Sequence, residues 1–390
     1  MTSALNKILA ELDPEYNQNI LADMIRTPSV VGSEKAMAEL VYAELKALGI
    51  ECEMAEIEPG RPNVYARLRG SRPGKRLHFN GHMDTVPVCE GWTMNPFEPV
   101  VKDGRMYGLG SCDMKTGLAC TLNMLRAFKR SGQDFAGEIS FSAVIDEEAY
   151  SKGTRAVLET DFAQCDAVIL GEAYPANAEK PTPLGITGKV LYDITVKGHA
   201  AHGFIPEEGI NAIEEAARIL TALDRLNMRE HPDFGHGSFS TLKIEGGYKV
   251  YTVVVPDRCR FEVNRMLVPG ETSQYALEDM RRLVKELDLR AEVDVQLKAP
   301  VYESYVMERS EPLVRLLDEV YQQVMGAAPQ YTYASVITDA SVFAGQGKLP
   351  CLHLGPPMTN IHQPDEYVLL DWLEPVSRMY AMLAYRFCES

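Results

Sequence analysis

Four short apolar runs, each followed within a few residues by side chains that bind metals, constrain this chain more than any other feature. Leu77 to Asn80 stops at Gly81 and delivers His82; Glu138 to Ile145 turns solidly apolar and runs into Asp146, Glu147 and Glu148; Asp166 to Leu170 precedes Glu172; Pro350 to Leu354 leads by a short loop to His362. Runs of this length read as buried strands, and helical periodicity precedes them in Met37, Leu40, Val41, Leu45 and Leu48. The fold class that follows is α/β, with a mixed, mostly parallel sheet flanked by helices. In an open sheet of that class ligands bind outside the carboxyl ends of the strands, so these side chains should converge on one crevice. Three consecutive carboxylates at a strand end repel one another unless cations neutralise them.

Around the first run the local chemistry is more specific. In extended chain, residues two apart point to the same side, so the carboxylate of Asp84 can reach one ring nitrogen of His82 and leave the other for a metal. The segment 85–112 is long, rich in proline and glycine, and carries only a short strand near 105–107, which is itself a mark of function. It ends at Asp113, where a helix over 116–129 begins and where N-capping is the competing explanation for an aspartate. Residues 4–26 and 34–48 read as amphipathic helices, the second capped by Ser33 and ended by Gly49, and strands follow at 50–57, 63–69 and 75–80.

At 390 residues the chain exceeds the size at which one core usually stops growing. The middle supplies the second domain. Pro181, Pro183 and Gly185 mark its start and Ala299-Pro300 its end, and between them the order is strand 189–197, helix 209–226, strands 239–245 and 251–265, helix 271–287 and strand 291–297. This β-α-β-β-α-β order describes an inserted α+β lid or dimerisation domain over 185–298, leaving 1–184 and 299–390 as a discontinuous catalytic, metal-binding domain. A net charge of −16 argues against nucleic-acid and anionic-membrane partners. Eight cysteines without a C-x-x-C pair, no signal-like apolar core at the start and no run of eighteen apolar residues place the protein in the cytoplasm.

Six motifs in order then carry a resemblance: Gly81-His82-Met83-Asp84-Thr85-Val86-Pro87, Gly108-Leu109-Gly110-Ser111-Cys112-Asp113-Met114-Lys115, Asp146-Glu147-Glu148, Gly171-Glu172, Gly198 to His202, and His362-Gln363-Pro364-Asp365-Glu366. Over nearly its whole length the chain resembles the two-metal amidohydrolases and peptidases that include acetylornithine deacetylase, succinyl-diaminopimelate desuccinylase, aminoacylase and the glutamate-releasing carboxypeptidases. The resemblance implies two divalent ions, zinc first and cobalt or manganese as alternatives, with Asp113 bridging them, His82 and Glu172 completing one site, and Glu148 and His362 the other. Two histidines and three carboxylates give each ion three protein ligands and leave room for water. It further implies a cis peptide after Asp113, Glu147 as general base, and Asp84 as the group orienting His82. His202, with His199 competing for the part, matches a histidine that reaches a partner subunit's active site and stabilises the oxyanion; capping the helix near 209 is its structural alternative. Arg265 resembles the arginine that grips a substrate carboxylate, against the alternative of an ion pair. His78 and His353 lie within strands as core or supporting groups.

Two departures from the family pattern bear on the substrate. Val253-Val254-Val255-Pro256 stands where many members have Asn-Val-Val-Pro, and Ala149-Tyr150 stands where many have small residues. The expected activity is hydrolysis of the amide bond of a small N-acyl amino acid with a free carboxylate, the acetylornithine deacetylase branch being nearest by eye because of His362 to Tyr367. A dipeptidase or carboxypeptidase is the rival within the family, and an inactive metal-binding or regulatory protein the rival outside it. A homodimer through the inserted domain is the expected assembly.

Overall fold

A computed structural model describes residues 3–173 and 182–390. Pro181, one of the residues marking the start of the insert, lies outside them. In chain order the principal elements are α1 (Ser3–Ala10), α2 (Pro14–Arg26), α3 (Lys35–Ala47), β1 (Glu51–Glu58), β2 (Arg61–Arg69), β3 (Arg72–His82), α4 (Lys115–Ser131), β4 (Ala136–Val144), α5 (Lys152–Leu158), β5 (Ala167–Leu170), β6 (Gly188–Lys197), α6 (Ala212–Leu220), β7 (Phe239–Gly246), β8 (Arg258–Leu267), α7 (Ser273–Glu286), β9 (Glu292–Tyr302), α8 (Pro312–Met325), β10 (Cys351–His353) and α9 (Leu373–Cys388). They form two compact units: Met1–Leu184 with Met307–Thr332 and Thr338–Ser390, and Gly185–Val306 with Tyr333–Ile337. The second unit thus runs past Ala299-Pro300 and takes back a short piece of chain from 333 to 337.

The first unit is built on a six-stranded sheet in the order β1-β2-β4-β3-β5-β10. β3, β4, β5 and β10 are mutually parallel, and β1 and β2 join as an antiparallel edge. Leu77, Phe79, Ile139, Phe141 and Ile169 are essentially without solvent contact, as strands covered on both faces require. Register sets the site. His82 pairs with Val144, so Asp146 to Glu148 begin just beyond, and Asn80 pairs with Leu170, which puts Glu172 level with His82. The first turn of α4 abuts that strand end so closely that a Cβ at Gly117 would overlap the Gly171 carbonyl oxygen.

Two local expectations change. The helix expected over 4–26 is two helices, because Pro14 suits only a first turn and the Asp13 side chain accepts the Tyr16 N–H at 3.0 Å, starting a new helix there. Before α3 the cap position belongs to Glu34 rather than Ser33, and its carboxylate turns to Gly32 and Arg61 instead of to the helix.

The second unit is a four-stranded antiparallel sheet, β7-β8-β6-β9, with α6 and α7 over a core that includes Tyr192, Ile194, Phe261, Val263 and Met280. β6 and β8 alternate buried and half-buried residues along their length, as one covered face demands. The strand expected over 251–265 starts only at Arg258. Pro256 lacks a donor for a sheet ladder, and Val253 and Val255 pair instead with Gly203 and Ala201. β7 is an edge strand whose eight residues are all exposed. Among the described residues no helix is long and apolar enough to cross a membrane.

Candidate active site

Beyond the carboxyl ends of β3, β4 and β5 the first unit gathers two triads of ligand atoms that share Asp113: His82, Asp113 and Glu172, and Asp113, Glu148 and His362. His82 Nε2 lies 3.1 Å from Asp113 Oδ1 and 3.3 Å from Glu172 Oε1. On the other side His362 Nε2 lies 3.1 Å from Glu148 Oε1 and 3.4 Å from Asp113 Oδ2. One carboxylate therefore turns one oxygen to each triad, the geometry of a bridging ligand. Asp113 does not cap α4, since Met114 holds that position, and the Asp113–Met114 peptide is cis.

The ring of His82 is oriented by Asp84, though not by the group expected. Nδ1–H donates to the Asp84 main-chain oxygen at 2.9 Å, while the carboxylate stands 3.8 Å away. That leaves Nε2 turned to Asp113 and Glu172. The Asp84 carboxylate serves another purpose, accepting the Glu147 and Glu148 N–H groups at 3.2 and 3.0 Å. A buried carboxylate satisfies these donors as no shorter neighbour could, and burial holds its own carboxyl up to about 7.

Electrostatics in the cluster asks for cations. Burial pushes Glu172 to about 8, with the Asp113 charge adding to it, and burial likewise drives Glu147 well above the usual carboxylate range. Hydrogen bonds to the Asp113 and Glu148 carboxylates raise His362 to about 10. Burial opposes a charge on His82, yet Glu172 and Asp113 hold its imidazolium well above the ordinary range. So many carboxyl groups within mutual reach can all be ionised only beside concentrated positive charge. Two imidazoles and three carboxylates sorted into two triads with a shared bridge match the donor set of two divalent ions.

The remaining expected residues sit in the second unit. His202 is exposed, and its Nδ1 accepts the Phe204 N–H at 3.2 Å, so the neutral ring carries its proton on Nε2. It bridges to Val254, within the segment that departs from the family pattern. His199 pairs its main chain with Ile210. Arg265 differs from its expectation. It is fully buried, and its guanidinium donates to Asp279 at 2.8 Å, Glu271 at 2.7 Å, the Asn227 carbonyl at 3.2 Å and the Tyr192 hydroxyl at 3.3 Å. Two carboxylates of its own unit occupy the fork that was expected to grip a substrate.

Several groups had no role in the sequence reading. Glu366 is buried and accepts the N–H groups of Gly110 and Cys112 at 2.8 Å and of Asp113 at 3.0 Å, holding the loop that presents Asp113. The Lys115 ammonium is buried against the Met24 and Thr27 carbonyls. Arg61 joins Glu34 at 2.5 Å to Asp146 at 2.8 Å. Asp339 is wholly buried in an otherwise apolar stretch, Val336 to Ala344, broken only by small hydroxyl residues, and an acid in such a run is the one signal that could have marked it.

Comparison with known proteins agrees with this geometry. Residues 78–386 match the model of peptidase family M20/M25/M40. A succinyl-diaminopimelate desuccinylase of Methylobacterium radiotolerans is 30% identical over 389 residues, covering 94% of this chain and 95% of that protein. Among solved structures, a tripeptidase from Staphylococcus aureus superposes with a TM-score of 0.77 at 21% identity, covering 97% of this chain and 100% of that one. A dinuclear metal-binding M20 peptidase from Bacillus subtilis gives 0.72 at 17% identity, covering 97% and 99%.

Proposed function

The chain belongs to peptidase family M20/M25/M40, and on that footing we propose that it hydrolyses the amide bond of a small N-acyl amino acid, the N-succinyl and N-acetyl derivatives foremost. The observation that carries the reading is the pair of ligand triads sharing Asp113, with Glu147 beside them. The desuccinylase relative, matched along almost its full length, supports an acyl group with its own carboxylate.

In this reading His82, Asp113 and Glu172 hold one divalent ion and Asp113, Glu148 and His362 the other, zinc first, with cobalt or manganese as alternatives. Divalent ions held there would supply polarisation of the amide carbonyl and a water whose pKa is lowered toward about 7. Glu147 takes the proton from water as it attacks the carbonyl carbon, and passes it to the amide nitrogen as the C–N bond breaks, giving a carboxylic acid and an amine, which ionise to carboxylate and ammonium. A carboxyl raised by burial and by neighbouring carboxylates is suited to both halves of that transfer. Asp84 keeps His82 and the Glu147 turn in place. His202, with a proton on an exposed Nε2, is the group we assign to the oxyanion in a partner's site. Arg265 is left out of substrate binding, since its fork is engaged by Glu271 and Asp279. Dimerisation through β7 is supported by an edge strand that exposes Leu242 and Ile244, and a cytoplasmic location by eight free cysteines.

The test is a panel of N-succinyl, N-acetyl and dipeptide substrates with zinc, cobalt or manganese. Turnover of acyl amino acids above dipeptides is expected. Preference for dipeptides would transfer the protein to the peptidase branch, and two bound metals without any turnover would make it a binding protein.

A further inference from the structure

Asp339 is fully buried just before the helical turn Ser341–Gln346, outside every motif that marks the metal ligands. Its Oδ2 accepts two hydrogen bonds, from Thr154 Oγ1 at 2.6 Å and from Asn80 Nδ2 at 3.3 Å, and the Ser151 side chain also interacts with the carboxyl. The two donors belong to the two elements that must stay in register for chemistry. Asn80 shares a face of β3 with His82, two residues on. Thr154 lies in the first turn of α5, directly after the segment that carries Glu147 and Glu148.

That segment is a closed turn. The N–H groups of Ala149, Tyr150 and Ser151 all return to the Asp146 carbonyl, and Asp146 and Ser151 both adopt left-handed backbone, at φ 70° and 51°. Non-glycine residues keep such conformations only when their surroundings hold them. Arg61 secures the near end through Asp146 and the Asp84 carboxylate secures the middle, whereas the far end is secured by Thr154 and Asp339.

The orientation of Asn80 is set by a chain of bonds behind it. Ser142 gives its one hydroxyl proton to Asn80 Oδ1 at 2.6 Å, so His78 Nε2–H must donate to Ser142 at 2.8 Å, and neutral His78 then accepts from Ser140 at Nδ1. Burial keeps that imidazole neutral, at about 3. With its oxygen occupied, Asn80 can present only its NH2 group forward. The residue facing it has to be an acceptor, and Asp339 supplies one.

We propose that Asp339 is a positioning residue that ties the turn bearing Glu147 and Glu148 to the strand bearing His82. The proposal rests on the catalytic role given above to Glu147, so its test needs a measurement independent of turnover. Hydrogen exchange of the amides of residues 146–154 in the metal-free full chain is one, read beside kcat and KM on whichever acyl amino acid the wild type cleaves. Asp339→Ala and Thr154→Val should each speed exchange of the turn about tenfold and lower kcat by roughly 10 to 10²-fold, with KM within about threefold. Asp339→Asn should keep the turn protected and recover most of kcat, because its amide oxygen can hold both donors and its NH2 can turn to the Ser151 hydroxyl, which already interacts with the Asp339 carboxyl. If Asp339→Ala does not fold, Thr154→Val decides. Unchanged exchange in Thr154→Val, or an Asp339→Asn protein as loose as Asp339→Ala, would overturn the proposal. So would an Asp339→Asn protein that holds the turn yet loses kcat as fully as the alanine variant, since the effect would then be one of charge. A wild type inert on every acyl amino acid would sink the functional reading and leave the exchange result to judge Asp339.

Discussion

Replacing Glu366 by alanine should damage this protein more than any other single change outside the metal ligands. The side chain is 2% exposed, and its two oxygens accept three main-chain N–H groups, those of Gly110, Cys112 and Asp113. Truncation strands all three in the interior. Each buried donor left unpaired costs about 1–3 kcal/mol, and partial relaxation pulls the sum toward the low end, so a loss of roughly 3–5 kcal/mol is expected. The carboxyl also carries a pH signature. Burial raises it to about 7 from an ordinary 4.5, so its folded form binds a proton more readily than the unfolded chain. Its stabilisation is complete below about pH 4.5 and declines as pH rises through 7, by up to about 3 kcal/mol. The penalty of Glu366→Ala should therefore be larger at pH 5 than at pH 8. Urea unfolding of the metal-free protein at both values measures it, and metal titration should show affinity down about 10–100-fold as the Asp113 loop loosens. Glu366→Gln, which keeps one acceptor oxygen, should fall between. An alanine variant within about 1 kcal/mol of wild type at pH 5 would refute the assignment of those three bonds.

Glu147→Gln should retain both metals by metal analysis and lose turnover by about 10²–10⁴-fold, and near-normal kcat would remove it as the base. His82→Ala should lose one ion, whereas Asp84→Asn should keep both and lose activity by freeing the Glu147 and Glu148 amides; equal metal loss in both would undo that division of roles. His78, depressed by burial to about 3, takes up its proton first in the unfolded chain. Its contribution is therefore whole above about pH 6.5 and lost as pH falls toward 3, and His78→Gln should reduce the acid slope of unfolding free energy by up to about 1.4 kcal/mol per pH unit relative to wild type. On the exposed edge strand, Ile244→Glu should shift a dimer to monomer by light scattering while leaving the thermal midpoint of the metal-loaded protein nearly unchanged.

What could be read beforehand follows from how each group is tied to the chain. His82, Glu148 and Glu172 sit within four residues of the ends of β3, β4 and β5, so a sheet whose strands are visible as apolar runs carries its ligands with it. His362 is less direct, separated from β10 by a loop, and it was the motif around it that made it visible. Asp113 follows no strand of the six-stranded sheet, only the short strand Arg105–Tyr107 of a separate small sheet. Its place depends on a loop pinned by Glu366 from 253 residues downstream, a relation that no local pattern encodes. The same holds for the helix break at Asp13 in the opposite sense: Pro14 beside a capping aspartate is a strong local signal, and reading 4–26 as one helix set periodicity above it.

Arg265 and Asp84 show why residue type alone is an incomplete guide to role. Arginine is equally suited to gripping a substrate carboxylate and to joining two carboxylates of its own domain, and only the positions of Glu271 and Asp279 separate the two. Asp84 was read as a partner for an imidazole because side chains two apart in a strand face the same way. β3 ends at His82, however, so the alternation no longer governs residue 84, and the main-chain oxygen rather than the carboxylate meets the ring. The freed carboxylate then takes the amides of Glu147 and Glu148, and one residue holds both the His82 ring and the turn of the proposed base. Together with Arg61 and Asp339 it makes residues 146–154 a segment fixed from three directions, each bond reaching it from an element distant in sequence. Accuracy of the reacting geometry in this fold therefore resides in long-range polar contacts to a short strained turn, and substitutions there should alter kcat before they alter stability.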